Sequence, residues 1–512
     1  MPSSQENNIN TETDERLSAL ITNASAVRAI AGAVENTLGP KGMDTMLVDS
    51  AGNIVVTNAG VTILDSMEVT HPAARMLISI ARNQHNQAGD GTTTATIMAG
   101  TLVSEGLNHI MRGVPAGRII DGITNAIDKC LCILKEKTIK INGFHDPLLK
   151  RAVMIAGRGD INITDSVIEL AKKVGEEKIK DKAFKLSDRL ISISGAESNL
   201  FNGLVIKKRR QNDLMPVSRE KVKTIIFNDA IMPEELSENA MRTEAGFSAY
   251  KLYQEEFRRN LTKFKDLGIK LVISSKGIDP FAEEFFTTNE IMAVTRVFGK
   301  QLTDISEFTG GKPLRRNALE KNSEEIEKSL GYLEFIEEDV RYGLLKMSGG
   351  KGASISTFIQ GASTEEITYE KERIAQDACA SLKSAFNEGV IAGGGAFELS
   401  LIPILKSQRD GIKDLSAYGI DCVIEALKRP MSQITSNAGF NPLEKLELAL
   451  GTHKEKQGYW GIDCDTGELT DMFEKGVLDS SAVKRHALIS AKEIAQAILR
   501  INTIIRMKNQ PQ

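Results

Sequence analysis

The sequence reads Gly89-Asp90-Gly91-Thr92-Thr93-Thr94 at the point where two segments of helical periodicity meet. From Pro72 onward apolar residues recur on one helical face, and Gly89 is typical of a residue that ends a helix. A second helix is predicted to begin at Thr92. A helix N-terminus presents unpaired N–H groups and a partial positive charge, so this loop is a ready site for phosphate.

Asp90 carries a negative charge in this loop and would repel a bare phosphate. The conflict disappears if a divalent cation lies between them, because Mg²⁺ is normally held by one or two carboxylates and by substrate phosphates. The loop alone therefore indicates a magnesium and phosphate site. A threonine N-cap after an ordinary glycine turn explains the same residues, and that alternative stays open.

Two further glycine turns could approach a ligand closely, because glycine has no Cβ. One is Thr37-Leu38-Gly39-Pro40-Lys41-Gly42, which ends the first predicted helix, and the other is Gly393-Gly394-Gly395. A C-terminal glycine cap explains the first equally well. The Walker pattern is absent, and no GxGxxG follows a predicted strand, so any nucleotide site here is neither a P-loop nor a dinucleotide-binding fold.

Composition and charge predict a globular chain of several domains. The chain has 512 residues, of which 41% are apolar and 26% charged, with a net charge of −4. Near-neutral charge and an aromatic share of only 5% give no support to a nucleic-acid or membrane partner. We therefore expect neither partner.

The cysteines and the N-terminus predict a cytoplasmic protein. Five cysteines form an odd set without a CxxC pair, which favours a reducing compartment without structural zinc, and Cys130 and Cys132 are expected to be small buried thiols. The first residues are polar and no apolar segment resembles a signal or a membrane span, so the chain is predicted to be neither exported nor inserted.

The order of predicted elements indicates an α/β multidomain protein. Helices dominate the first part, which also holds a hairpin of Met46–Val48 and Ile54–Thr57. Strands and helices alternate in the middle, and helices return from Glu365. The middle part is predicted to contain the strands Leu190–Ser194, Leu204–Ile206, Thr224–Phe227, Lys270–Ser274 and Ile291–Val297, and the helices Tyr250–Leu267 and Pro280–Thr287.

Taken together, these motifs resemble those of the chaperonins and span nearly the whole chain. The type is group II, most similar to the group II-like chaperonins of some bacteria that are called group III, with an archaeal origin as the near alternative. The resemblance rests on the segments Thr37–Asp44, Thr57–Leu64, His71–Ala74, Gly89–Thr94, Asp377–Ala378, Glu388–Gly395, Asn437–Gly439 and Asp471–Asp479.

The resemblance implies three domains, two of them split in sequence. A mainly α-helical equatorial domain would comprise residues 1–141 and 391–512, and an α/β intermediate domain residues 142–203 and 353–390. An α/β apical domain would span residues 204–352, with a helical protrusion at about 244–267 as a built-in lid. Its apolar stripe would pack locally or contact clients and neighbouring lids: Phe247, Tyr250, Leu252, Tyr253, Phe257, Leu261 and Phe264.

The resemblance also implies an ATP site with Mg²⁺. Asp90 would hold the metal, Asp377 would orient the attacking water, and Gly394 and Asp479 would meet the ribose. Without the resemblance, Asp377 would be read as a solvent-facing residue of a predicted helix. The remaining residues of the implied nucleotide site are Thr37, Leu38, Gly39, Pro40, Gly91, Thr92, Thr93, Thr94, Gly395 and Arg158.

Two positions depart from the family pattern. Ala59 stands where the family usually has Asp, which removes a carboxylate expected beside the γ-phosphate, so hydrolysis should be slow. Arg158 stands where group II proteins tend to carry a Lys in a nucleotide-sensing loop, so the charge is kept but the geometry differs.

The resemblance thus implies an ATP-dependent folding subunit that encloses unfolded client proteins. Identical or paralogous subunits would form two stacked rings of eight each, without a separate lid co-chaperonin. The alternative is a nucleotide-binding structural subunit that hydrolyses ATP weakly or not at all, which Ala59 favours. A nucleotide-dependent transferase is a further alternative, but no His-centred acid–base set supports it.

Overall fold

A computed structural model describes residues 4–52, 54–234, 244–501 and 503 of the chain. They divide into two compact units. The first holds the chain up to Ile168, the segment Glu176–Ser187 and everything described from Arg373 onward, and the second holds Glu169–Gly175 and Asp188–Glu372. The chain therefore leaves the first unit twice and returns to it twice. The domain boundaries at 141, 203, 352 and 390 stay predictions.

The first unit is mainly helical. Its core repeats apolar residues at helical spacing, as in Ile119, Ile123 and Ile127, all fully buried. Two further helices, Ile161–Val174 and Glu365–Glu388, cross from one unit to the other along the sequence. The helices within the first unit are Ser4–Val34, Gly60–Ser66, Pro72–Ala88, Thr92–Met111, Ala116–Lys137, Pro147–Ala156, Glu176–Lys180, Ala396–Asp410, Ala417–Asn437, Pro442–Glu455, Met472–Lys475 and Ser481–Leu499.

The strands are numbered in chain order through both units. They are β1 Thr45–Val48, β2 Ile54–Thr57, β3 Leu190–Ser194, β4 Asn199–Phe201, β5 Leu204–Ile206, β6 Ser218–Phe227, β7 Ile269–Ser274, β8 Met292–Val294, β9 Gly331–Asp339, β10 Leu344–Ser348, β11 Thr357–Ala362, β12 Val390–Ala392, β13 Trp460–Ile462, β14 Leu469–Asp471 and β15 Leu478–Ser480.

Among its described residues, the first unit contains three antiparallel strand pairs. β1 pairs with β2, which confirms the predicted hairpin. β13 pairs with β14, and β12 pairs with β15 so that Ile391 lies opposite Asp479. The last pair matters for the site, because it brings the segment before Gly393 beside a residue from the end of the chain.

The second unit is built on a six-stranded sheet in the order β5-β10-β9-β6-β7-β8, with a smaller sheet in the order β3-β11-β4. Alternate residues of β6 and β7 enter two different cores, since successive side chains of a strand point to opposite faces. Val222 and Ile226 lie in one core, and Ile225 and Phe227 in the other. The helices of this unit, Glu244–Asp266, Pro280–Thr288, Lys300–Thr309 and Ser323–Glu327, supply the layers that cover the sheet.

Two predicted strands differ in length from the observed strands by more than one residue. The strand predicted at Thr224–Phe227 is Ser218–Phe227, because its first half pairs with β9 although it is polar. The strand predicted at Ile291–Val297 is only Met292–Val294, since the chain turns at Arg296, whose φ is 57°.

The helix Glu244–Asp266 coincides with the predicted protrusion. Phe257, Leu261 and Phe264 are buried in a core, as local packing requires, while Leu252 is 64% exposed. The side chain of Phe247 lies outside the described part of the chain. The role of this helix as a lid stays a prediction.

The cysteines follow their helical positions. Cys130, Cys379 and Cys422 are buried, and burial raises the pKa of Cys130 to about 12. The prediction for Cys132 is wrong, because this residue, two positions after Cys130 on the same helix, is exposed. Within the described residues, no cluster of three or more His, Cys, Asp or Glu could hold a metal ion. None of the described helices is long and apolar enough to cross a membrane.

Candidate functional site

The glycine loop lies between two helices of the first unit, as predicted. The helix Pro72–Ala88 ends at Gly89, whose φ is 75°, and the next helix begins at Thr92 after Gly91, whose φ is 78°. The N-cap of this second helix is Gly91, which has no side chain with which to cap it. The N–H groups of its first turn, which carry a partial positive charge, therefore receive no hydrogen bond from an N-cap side chain.

Close packing explains why both glycines are needed. A Cβ at Gly89 would collide with that of Ala380, and a Cβ at Gly91 would lie 2.5 Å from Cγ1 of Val483. The buried amide of Gln84 donates to the carbonyl of Asp90 at 2.8 Å and to that of Val483 at 3.2 Å. Gln84 thus ties the loop to the final helix Ser481–Leu499. Gln84 was not predicted as a site residue, since a lone Gln on an apolar helical face gives no signal.

Asp90 lies within electrostatic reach of one further carboxylate, Asp479, and of two cations, Lys484 and Arg158. The surrounding protein atoms remove water from the Asp90 carboxylate, and this loss of hydration raises its pKa, although Asp90 keeps exposed surface. The negative charge of Asp479 raises the pKa of Asp90 further. The Gly91 N–H, which donates to Asp90 Oδ1 at 2.5 Å, and the cations of Lys484 and Arg158 oppose this rise. A divalent cation would relieve the repulsion between the two carboxylates, so these residues fit Mg²⁺.

A buried ion cluster supports Asp479. The Lys484 Nζ lies 2.8 Å from both Asp479 Oδ2 and Glu398 Oε1, and the side chains of Lys484 and Glu398 are only 6% and 4% exposed. Burial alone would lower the pKa of Lys484, but the two carboxylates outweigh it and raise the pKa. Lys484 therefore stays charged and fixes Asp479. Neither Lys484 nor Glu398 was predicted, because nothing local in the sequence marks a buried charge.

The turn from Thr37 to Pro40 follows a short 3₁₀ helix, Glu35–Thr37. Leu38 is extended and Gly39 has a φ of 89°. The side chain of Asn437 donates to the carbonyls of Glu35 at 3.0 Å and Leu38 at 2.9 Å, which holds the turn against the helix Ala417–Asn437. Asn437, the first residue of the Asn437–Gly439 motif, thus stabilises the turn through these two hydrogen bonds.

The third glycine turn packs on the same helix. A Cβ at Gly395 would lie 2.8 Å from the backbone nitrogen of Met431, and a Cβ at Gly39 would lie 3.1 Å from Ile434, one turn further on. Gly394 has a φ of 63°, and a Cβ at the preceding Gly393 would lie 3.1 Å from Asp479. The helix Ala417–Asn437 therefore supports both the turn at Gly39 and the turn Gly393–Gly395. The turn Gly393–Gly395 also lies directly beside Asp479.

Asp377 is held by a neighbour on its own helix, Glu365–Glu388. Arg373 Nη1 lies 2.7 Å from Asp377 Oδ2, and Arg373 Nη2 donates to Asn58 Oδ1 at 3.2 Å. The side chain of Asp377 is only 16% exposed. The reading of this residue as solvent-facing is therefore wrong. Arg373 and Asn58 were not predicted as site residues.

Ala59 lies next to the glycine loop. It is the N-cap of the helix Gly60–Ser66, is 8% exposed and offers no side-chain cap. A Cβ at Gly60 would collide with the Thr93 hydroxyl, so the start of this helix packs on the first turn of Thr92–Met111. A carboxylate at position 59 would thus stand beside the loop of Asp90.

Arg158 sits in a turn with an unusual backbone. Its φ is 53° between Gly157 and Gly159, and the Asp160 carboxylate caps the next helix by accepting from the N–H groups of Asn162 and Ile163. The charge of Arg158 lowers the pKa of Asp90, which shows that the two residues are within electrostatic reach.

A model described as the TCP-1/cpn60 chaperonin family matches residues 30–509. The chain belongs to this family. A thermosome subunit of Pyrococcus abyssi is 34% identical over 502 residues, covering 94% of this chain and 90% of that protein. Thermosome subunit alpha of Methanothermobacter thermautotrophicus is 34% identical over 494 residues, with the same coverage of each chain.

A solved structure agrees with the chaperonin fold. The crystal structure of a group III chaperonin in the open state superposes with a TM-score of 0.88 at 42% identity, covering 96% of this chain and 100% of that one. The predicted membership in the group II type and the predicted multidomain α/β chaperonin architecture are thereby confirmed. The protein is a chaperonin subunit, and the roles of its individual site residues are proposals.

Proposed function

We propose that this chaperonin subunit binds ATP with Mg²⁺ in its first unit and hydrolyses it slowly to enclose unfolded client proteins. The observation that carries the proposal is Asp90, a carboxylate whose charge is disfavoured by loss of hydration and by Asp479, placed beside a helix N-terminus whose N-cap, Gly91, has no side chain. A phosphate with its cation satisfies both features at once.

Each loop has a place in this proposal. The turn Thr37–Pro40 and the first turn of Thr92–Met111, from Gly91 to Thr94, lie against the phosphates, and Asp90 holds the metal. Bound Mg²⁺ would neutralise phosphate charge. Gly394, Gly395 and Asp479 take the nucleoside end, where the ion pair with Lys484 holds Asp479 in place. The positive charge of Arg158 interacts with the phosphates, so that its position depends on which nucleotide is bound.

Asp377 orients the attacking water and accepts its proton. A carboxylate suits this role because it can only accept hydrogen bonds while ionised, and a positioned general base contributes about 10²- to 10⁴-fold to a rate. Ala59 supplies no second carboxylate, so we expect a low turnover. Differential affinity of ATP for open and closed states would couple binding to domain closure.

The proposed assembly rests on the similarity to ring-forming members of the family. We propose two stacked rings of eight identical or paralogous subunits in the cytoplasm, with the helix Glu244–Asp266 as part of a built-in lid in place of a separate co-chaperonin. The thermosome subunits and the group III chaperonin support this proposal as relatives of nearly equal length.

Ala59 favours a second candidate function. A subunit that binds ATP but barely hydrolyses it could serve chiefly to complete a ring. Ala59 has only a methyl group, so it places no carboxylate beside the glycine loop. Asp90 and Asp377, in contrast, favour a subunit that hydrolyses ATP.

Phosphate release from the purified oligomer tests the proposal, together with particle images recorded with and without ATP. We expect slow release and rings that close with ATP. Bound ATP without phosphate release, on rings that stay open, would establish the structural subunit instead. Asp90→Asn provides the matched control, because it keeps the shape of the loop and removes the charge.

A further inference from the structure

The salt bridge of Arg373 with Asp377 differs from an ordinary pair on a helix surface. The two residues are four positions apart on one helix, and their side chains are only 13% and 16% exposed. Exposed pairs at this spacing contribute little because water screens them, whereas partial burial strengthens the attraction. The contact at 2.7 Å therefore restrains the Asp377 carboxylate.

The second bond of Arg373 reaches a distant part of the chain. Its other terminal nitrogen donates to Asn58, which is 315 positions away in sequence and immediately precedes Ala59. The guanidinium is planar, so two acceptors on its nitrogens are held in a fixed mutual geometry. Arg373 thus fixes Asp377 relative to the segment that begins the helix Gly60–Ser66.

That segment borders the candidate phosphate loop. Gly60 packs on the Thr93 hydroxyl in the first turn of the helix that begins at Thr92. The path from Asp377 therefore runs through Arg373 to Asn58, along the backbone to Gly60, and from Gly60 to Thr93, and it links the proposed base to the proposed phosphate site.

We propose that Arg373 is a positioning residue, which holds Asp377 in register with the phosphate loop for attack by water. This inference rests on the proposed ATPase function. In a chain with Ala59, the alignment of Asp377 depends on Arg373, since the neighbouring position offers no carboxylate to share the orientation of the water.

Single-turnover hydrolysis with protein in excess over ATP tests the inference on the assembled ring. Arg373→Gln removes the charge and the fork, and Arg373→Lys keeps the charge alone. We expect Arg373→Gln to slow the chemical step about ten- to hundredfold, since hydrogen bonds to charged groups are worth about one to two decades in rate, with ATP affinity unchanged within about twofold. Arg373→Lys should recover only part of the loss.

Two controls separate positioning from general damage. Arg409→Gln breaks another Arg–Asp pair of the same unit, the pair of Arg409 with Asp421. Neither residue of this pair is a proposed site residue, so this variant should leave the hydrolysis rate unchanged. In an Asp377→Asn background, Arg373→Gln should cost nothing further, because Arg373 acts through Asp377. If Arg373→Gln fails to assemble, Arg373→Lys carries the same comparison.

The outcomes are distinguishable. Phosphate release from the unaltered protein with an equal rate in Arg373→Gln would overturn this inference alone. A loss of the same size with and without Asp377 would do so too, because it would reveal a structural role. An unaltered protein that releases no phosphate would overturn the proposed function and this inference together.

Discussion

Replacing Ala59 with Asp should speed hydrolysis, and the structure supplies the matched control. Ala59 is the N-cap of the helix Gly60–Ser66, with an extended backbone and no side-chain bond to the helix. Asp and Asn are equally good N-caps and are better than Ala by about 1 kcal/mol. Ala59→Asn therefore adds the cap without the charge, and Ala59→Asp adds both.

The two effects differ in size and in kind. Capping stabilises the folded protein by about 1 kcal/mol in both variants and has no direct reason to change the rate. A carboxylate that orients water contributes at least about 10²-fold, equivalent to about 2.7 kcal/mol of barrier at 1.36 kcal/mol per decade. Position 59 is near the phosphate loop because the next residue, Gly60, contacts Thr93.

Single-turnover phosphate release at saturating Mg²⁺ measures the chemical step, and a separate titration measures ATP affinity. We expect Ala59→Asp to be about a hundredfold faster than the unaltered protein and Ala59→Asn to stay within about threefold of it. Equal rates for Ala59→Asp and the unaltered protein would refute the reasoning. Equal acceleration in both variants would also refute it, because it would assign the gain to capping.

Three further changes test the site. Asp90→Asn should weaken ATP binding about tenfold or more in the presence of Mg²⁺ and have little effect in a chelator, as titration calorimetry under both conditions would show. Lys484→Met should lower the free energy of unfolding by about 3–5 kcal/mol in denaturant, since it leaves Glu398 and Asp479 as uncompensated charges; a loss below 1 kcal/mol would contradict the ion cluster. Gly89→Ala should cost about 1–3 kcal/mol through its φ of 75° and its collision with Ala380, and Ala380→Gly should restore only the part due to collision.

Local signals predicted the helix ends and the hairpin well. Pro72 begins a helix and Gly89 ends it, because each residue fits the backbone geometry of its position. Strand β6 was predicted too short because its local sequence does not favour a strand over its full length. Its first residues, from Ser218, are polar, and pairing with β9 rather than their own preference makes them a strand.

Long-range contacts could not be predicted by the same means. The order of the six-stranded sheet depends on pairings between strands far apart in sequence. Likewise, the glycine loops are visible in the sequence, but the residues that hold them are not. Arg373 is typical of a charged helix surface, and its bond to Asn58 exists only after distant segments have met.

The contacts that hold the glycine loop in place come from distant parts of the sequence, and this matters for function. Gln84 donates to the carbonyls of Asp90 and of Val483, which lies 399 positions from Gln84 in sequence. Lys484, next to Val483, fixes Asp479, whose charge raises the pKa of Asp90. The proposed metal ligand is thus held by the helix that follows β15, so the site is complete only when the end of the chain has packed against its beginning. Changes in the helix Ser481–Leu499 should therefore act on Asp90 through Gln84 and Lys484, although that helix contains no proposed ligand of the nucleotide.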